Sequence, residues 1–234
     1  MNYGKKKAAK RQKKITSKST MQGKRIVVRL FKALLICIVL AAVVGMAGGG
    51  LFIKKIIDDT PHVSTSDVKP KGFTTFVYAD DGSTEIERFV SSGSNRVYKS
   101  IDEIPKNLQH AFVAIEDERF YEHNGIDIRG IMRAMAENIK TMSFSQGAST
   151  LTQQVLKNEV LEREKSLSRK IKEQYLAVSL ENALKKQLGS KDAAKKYILE
   201  LYLNTIPLHH GLRGVEAASQ YYFGKHASEL TLAE

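Results

Sequence analysis

Between Lys32 and Lys54 the chain runs for 21 residues, Ala33–Ile53, without one charged side chain. Few structures accommodate such a run. At about 1.5 Å of rise per residue, a helix of it spans roughly the ~30 Å hydrocarbon core of a bilayer. Gly48-Gly49-Gly50 lowers helix propensity locally without forbidding the span. The flanks supply a direction: residues 1–32 carry 12 Lys and Arg, and the first acid is Asp58. Positive charge on the N-terminal side puts that end in the cytoplasm and everything after Lys54 outside. The alternative is a cleaved signal peptide, with Ala33–Val44 as its apolar stretch and Gly45-Met46-Ala47 as its cleavage site. The retained single-pass anchor is preferred because the whole run is of spanning length, and both readings export the same C-terminal portion.

The formal net charge is +12, from 37 basic and 25 acidic side chains. Taking 12 from 37 leaves 25 basic against 25 acidic beyond residue 32, so the excess is a tail and not a face. A nucleic-acid partner is therefore not expected, whereas the tail is expected to attract anionic membrane lipid. Cys37 is alone, which excludes an intrachain disulfide and leaves stability to a packed core. Absence of Trp and only 4 Pro favour a helical body.

The remaining chain reads in three parts. Residues 54–72, charged and without periodicity, read as a juxtamembrane linker. Two β-prone runs around Asp80-Asp81-Gly82-Ser83 predict a hairpin over Thr74–Val90. From Pro105 the spacing turns helical, and Leu108, Ala111, Phe112 and Ile115 predict a buried stripe reaching Glu116. Further helices are expected at about 127–141, 150–162, 167–188, 191–204 and 214–222, broken at Gly147, Gly189, Pro207 with Gly211, and Gly224. Ser228–Glu234 resembles the cap and first turn of another helix, so a longer design is expected. The fold class is mainly α with a small N-terminal β-hairpin.

Three clusters carry chemistry. Glu116-Asp117-Glu118-Arg119-Phe120-Tyr121-Glu122-His123-Asn124-Gly125 is the densest polar one. A carboxylate closing an apolar stripe is expected to have a raised pKa and to move a proton near neutral pH. Capping and solvating a helix end is the plainer explanation. Gly147–Asn158 contains Thr150 with Gln153 three residues on, a capping box that opens a helix. Free amides there, with Lys157, form an anion site suited to a phosphate; an ordinary helix start is the alternative. Lys165–Glu173 sets Arg169 and Glu173 at i and i+4 amid other cations, either a solvated face or a pyrophosphate clamp. Ile131, Met132, Met135, Met142 and Phe144 form a flexible apolar segment, expected in the core or against lipid. His209-His210 lacks further ligands at metal spacing, and no zinc site is expected.

In order, these clusters resemble the peptidoglycan glycosyltransferase domain of class A penicillin-binding proteins and monofunctional transglycosylases. The first matches E-D-x-x-F-x-x-H-x-G at Glu116, Asp117, Phe120, His123 and Gly125; the second matches G-x-S-T-x-T-Q-Q-x-x-K-N; the third matches R-K-x-x-E at Arg169, Lys170 and Glu173. I-L-E-L-Y-L-N at Ile198–Asn204, and G-V-E-A-A with Y-F-G-K over Gly214–Lys225, complete five motifs. The resemblance implies a lysozyme-like helical domain that polymerises lipid II into β-1,4 glycan outside the membrane, releasing undecaprenyl pyrophosphate. It implies Glu116 as the base for the acceptor hydroxyl in an inverting displacement. Glu173, with Lys157, Lys165, Arg169 and Lys170, would orient and neutralise the pyrophosphate. Asp117, Arg133, Ser149, Thr150, Gln153 and Gln154 would contact substrate. No cofactor is required, although a divalent Mg or Mn could sit at the pyrophosphate. Partners would be lipid II, the nascent strand, membrane lipid, and cell-wall synthesis or division proteins.

Departures from the pattern are Ala148 for a second Gly, Lys165 for Arg, and Ile206–Arg213 in place of an aromatic and Gly-rich stretch. The only S-x-x-K, Ser66–Lys69, lies in the linker with no K-T-G after it, so no penicillin binding is expected of these residues. The expected organisation is a basic cytoplasmic tail (1–32), an anchor (33–53), a linker (54–72) and a C-terminally incomplete glycosyltransferase domain (73–234). A lysozyme-like hydrolase using Glu116 as acid, and an inactive fragment or scaffold, stay open as alternatives.

Overall fold

The computed structural model describes residues 3–15, 18–61, 63–90, 95–143, 147–161 and 166–234, without the side chains of residues 3, 15 and 18–24. Lys165 and Phe144 lie outside the described residues. The chain divides into Met1–Asp58 and Asp59–Glu234.

In the first unit, α1 (Tyr3–Ile15) carries the basic tail and α2 (Lys18–Asp58) contains the uncharged run. The helix is continuous through Gly48-Gly49-Gly50, and its Arg25–Asp58 stretch is long and apolar enough to cross a membrane. It also continues to Asp58, through residues expected to lie in the linker.

The second unit opens with a turn that is more than a tether. Val68 is fully buried in the main hydrophobic core, where Val63 also packs. An isolated valine among charged residues has no periodicity, so the sequence pattern does not reveal it. The expected hairpin is present as β1 (Thr75–Tyr78) and β2 (Glu85–Phe89), antiparallel from Thr75↔Phe89 to Tyr78↔Glu85 with an irregularity after Val77. Asp81 organises its turn, accepting the Ser83 and Thr84 amides at 2.8 Å each. The Thr84 hydroxyl, then those amides, hold the Asp81 carboxyl down at about 2. A second, unexpected pair joins β3 (Asn95–Arg96) in parallel to β4 (Leu212–Arg213).

The helical body follows as α3 (Lys106–Glu116), α4 (Ile128–Thr141), α5 (Leu151–Glu159), α6 (Leu167–Leu188), α7 (Lys191–Thr205) and α8 (Val215–Phe223). Its core is built where α5, α6 and α7 meet, from Leu151, Val155, Leu156, Leu180, Ile198 and Leu199 among others. Serine, threonine or aspartate side chains cap the N-termini of α4, α5, α6 and α7 at Asp127, Thr150, Ser166 and Ser190. Ser228–Glu234 contributes to a 3-10 turn at Ala227–Glu229 and opens no α-helix.

The stripe expected on α3 is rotated. Gln109 and Val113 are buried, Leu108 and Phe112 pack at the core edge, and Ile115 is 81% exposed. Gln109 takes the inner position because its amide donates to the Ile101 and Ile104 carbonyls at 2.9 and 2.7 Å. Two buried acceptors outweigh the apolar preference for Ile115. The stripe therefore does not run into Glu116.

Gly125 marks the closest approach of loop to helix. Its φ is +87°, and a Cβ there would lie 2.6 Å from the backbone C and O of Ala177 on α6. Strain and overlap then act together. Gly125→Ala is expected to cost about 2 kcal/mol or more and to lower the thermal midpoint by at least about 5 °C. Circular dichroism melting of the two proteins checks this, and an unchanged midpoint would show that the loop can move away from α6.

Candidate functional site

The N-terminus of α5 organises the site. A helix start leaves amides without intrahelical partners, and here three side chains meet them. Thr150 accepts the Gln153 amide at 3.3 Å while Gln153 accepts the Thr150 amide at 3.1 Å, the reciprocal box expected from the sequence. Asp117 accepts the Leu151 amide at 3.0 Å. The Thr150 hydroxyl donates to the Gly125 carbonyl at 2.6 Å, tying α5 to the loop that follows α3.

That loop carries the first motif, and its residues divide sharply. Asp117 is buried, with both oxygens 3.0 Å from His123 Nε2. Its carboxylate is thus committed to His123 and α5 at the wall of the cleft. Glu116, the last residue of α3, is exposed, and its Oε2 accepts Gln154 Nε2 at 2.9 Å. The desolvated setting expected for Glu116 is absent because α3 presents its other face to the core. Beneath it lies Tyr202, fully buried with no hydrogen-bond partner for its hydroxyl. Burial, and then the Glu116 charge, push that phenol up, so it stays neutral.

The third motif meets the α5 start at Ser149. Glu173 is 2% exposed, yet it is neutralised on both oxygens: Arg169 Nη1 approaches Oε2 at 2.8 Å and Lys170 Nζ pairs with Oε1. Lys170 also donates to Ser149 Oγ at 2.8 Å. Two cations on one carboxylate leave net positive charge beside Ser149, in a half-buried setting where it acts strongly.

Glu116, Asp117, Arg133, Ser149 and Thr150 line one polar cavity of about 150 Å³. Arg133 is exposed at its rim, 3.6 Å from Glu118. Gln153 is buried in the capping box, and Lys157 is exposed two turns along α5. Lys165, lying outside the described residues, cannot be added to the cluster. Among the described residues no three His, Cys, Asp or Glu side chains could hold a metal ion. Glu173, the buried carboxylate of this cluster, is already flanked by cations, so the donor set does not fit a resident Mg or Mn.

Sequence reasoning did not single out Arg119 and Asp127, which border the same cavity. Arg119 Nη2 lies 2.6 Å from Asp127 Oδ2, and Asp127 Oδ1 accepts the Gly130 amide at 3.0 Å, capping α4. Asp three residues before Gly130 at a helix start is a capping signal. Burial pushes the Asp127 carboxyl up, but Arg119 and the Gly130 amide overcome this and hold it below the usual range.

A family profile described as Transglycosylase matches residues 82–234. Penicillin-binding protein 1A of Clostridium perfringens strain 13 is 40% identical over 222 residues, covering 93% of this chain and 31% of that protein. Penicillin-binding protein 4 of Bacillus subtilis is 41% identical over 160 residues, covering 68% and 24%. Penicillin-binding protein 1A of Aquifex aeolicus is 50% identical over 139 residues, covering 59% and 18%. The chain thus spans less than a third of the length of these relatives.

The Asp127 shift sets a pH dependence. A carboxyl lowered by folding contributes stability that is complete above its unfolded pKa of about 4 and lost as pH falls through the lower folded value. The stability gap between the parent and Asp127→Asn is expected to be flat from neutrality to about pH 5 and to close below about pH 4. Urea unfolding in detergent across that range checks the sign; a gap that widens on acidification contradicts it.

Proposed function

The chain belongs to the transglycosylase family, and from that premise we propose that it is a membrane-anchored peptidoglycan glycosyltransferase that polymerises lipid II. One observation carries the reading: a solvent-facing carboxylate, Glu116, and a cationic knot, Arg169–Glu173–Lys170, flank the same helix start at Gln154 and Ser149. A glycosyl transfer from a diphosphate needs those two things on opposite sides of the reacting carbon, a base for the incoming hydroxyl and fixed positive charge for the leaving group.

In the proposed step Glu116 takes the proton from the acceptor's 4-hydroxyl as that oxygen attacks the anomeric carbon of the donor. The new C–O bond forms as the bond to the pyrophosphate breaks, inverting the centre to a β-1,4 link. Both electrons leave with undecaprenyl pyrophosphate, which Lys170, Arg169 and Lys157 receive. Glu173 orients the two cations and does not touch the proton. Ser149, held by Lys170 at the α5 start, meets sugar or phosphate oxygens. No observation favours hydrolysis: Glu173 is spent on its cations and cannot activate water.

Two features support a substrate held in a bilayer. One is the apolar stretch of α2. The other is a stripe on α4, where Ile128, Met132, Met135, Ile139 and Met142 recur at three- and four-residue spacing and all stand exposed, Met142 at 96%. Arg129, Arg133 and Lys140 on the same helix are exposed as well, the arrangement of a helix that rests at a lipid interface. In this reading the tail is cytoplasmic, residues 73–234 form the catalytic domain outside the membrane, and a divalent ion, where one takes part, arrives on the pyrophosphate.

The test is polymerisation of labelled lipid II by this chain in detergent, beside Glu116→Gln. Glycan product from the parent is expected, with a loss of about a hundredfold or more in the variant. Activity retained within tenfold would falsify the role of Glu116 as base, and a folded parent that makes no product would remove the activity from these 234 residues.

A further inference from the structure

Two charged side chains lie deep in the core and take no part in the step above. Lys195 on α7 and Glu181 on α6 are 1% and 6% exposed, and their Nζ and Oε1 are 2.8 Å apart. Taking both charges out of water is costly, and apolar side chains of similar volume would join α6 to α7 as well or better. What the pair touches supplies another reason for it. The same Glu181 Oε1 accepts the Thr152 hydroxyl at 2.6 Å, and Thr152 is the second residue of α5. Lys195 Nζ stands 4.4 Å from the centre of the Phe120 ring, which is fully buried. Phe120 follows Glu116 by four residues, and Thr152 precedes Gln154 by two.

One ion pair therefore grips both walls of the cleft, the loop through Phe120 and the helix through Thr152. Both grips are directional: an ammonium over a ring face, and a hydroxyl on a charged acceptor. An apolar pair would hold the helices together but would give up both directional grips, leaving the Asp117 and Thr150 bonds alone to set the spacing of loop and α5. We propose that Lys195 and Glu181 are positioning residues, which fix the distance between the Glu116 carboxylate and the first turn of α5, and with it the separation of base and pyrophosphate cations. The proposal rests on the reading of Glu116 as the base. Burial pushes the Lys195 ammonium down against the pull of Glu181.

The test compares the parent, the double variant Lys195→Met with Glu181→Met, and Thr152→Val, each as the whole chain in detergent. Labelled lipid II polymerisation gives kcat and KM, melting gives stability, and amide exchange gives local order. The double variant is expected to keep its melting midpoint within a few degrees and its KM within about twofold, while kcat falls about tenfold or more. Exchange should accelerate over 117–125 and 150–154 and stay unchanged in α8. Thr152→Val, which removes one grip only, should lower kcat in the same direction by about threefold. A folded double variant with parental kcat overturns the proposal. So does exchange that rises evenly over α3–α8 with kcat restored on cooling, because that marks a purely structural pair. If the double variant does not fold, Thr152→Val decides, and unchanged kcat and exchange there overturn it. If Glu116→Gln stays active, the base reading fails, and the exchange pattern still judges the clamp.

Discussion

The cleft depends on how the first amides of α5 are satisfied. A buried helix start with unpaired N–H groups is costly, and this one recruits its partners from the loop after α3. Asp117 reaches the Leu151 amide, and the Thr150 hydroxyl returns a bond to the Gly125 carbonyl. These two bonds, in opposite directions, close the loop onto the helix. Glu116 is then carried to the edge of the cleft as the neighbour of a residue that cannot move. The acidic pair at the head of the first motif divides the work, one carboxylate spent as structure and the other left to solvent.

Other motif residues serve the same end at a distance. Glu200 accepts the Ile101 amide at 2.7 Å, and Asn204 accepts the Lys99 amide while donating to its carbonyl, both at 2.8 Å. The fourth motif thus clasps the segment that leads into α3. Gly214 allows the chain to pass Asn204, where a Cβ would lie 2.9 Å from its carbonyl oxygen. Arg96, 1% exposed, joins this frame through Glu159 at 2.8 Å, with Arg213 beside it. Charged groups buried in this manner add little net stability, but they are intolerant of slippage, which suits a frame around Glu116 and the Arg169–Glu173–Lys170 cluster.

Periodicity and punctuation made most of the helical body legible. Expected helices at about 127–141, 167–188, 191–204 and 214–222 agree to within a residue or two with α4, α6, α7 and α8, since capping Ser and Asp and terminal Gly mark their ends. The α3 stripe was misread because a pattern of apolar residues does not say which neighbours a helix will meet, and Gln109 found two carbonyls waiting. Val68 escaped because one buried side chain leaves no period. That Asp117 braces the start of α5 is not legible in the sequence, because its partners, His123 and the Leu151 amide, stand six and 34 residues away.

The sequence by itself determined the apolar helix, the family, and the carboxylates and cations of its motifs, because hydropathy, capping and motif spacing are local and survive without a fold. Only the tertiary structure decided which carboxylate faces solvent and which is spent on a helix start. It also decided which cations meet Glu173, and that Lys195 and Glu181 bind the two walls of the cleft together. Those are pairings between side chains far apart in the chain, and burial and hydrogen-bond satisfaction choose among them only once the helices have packed.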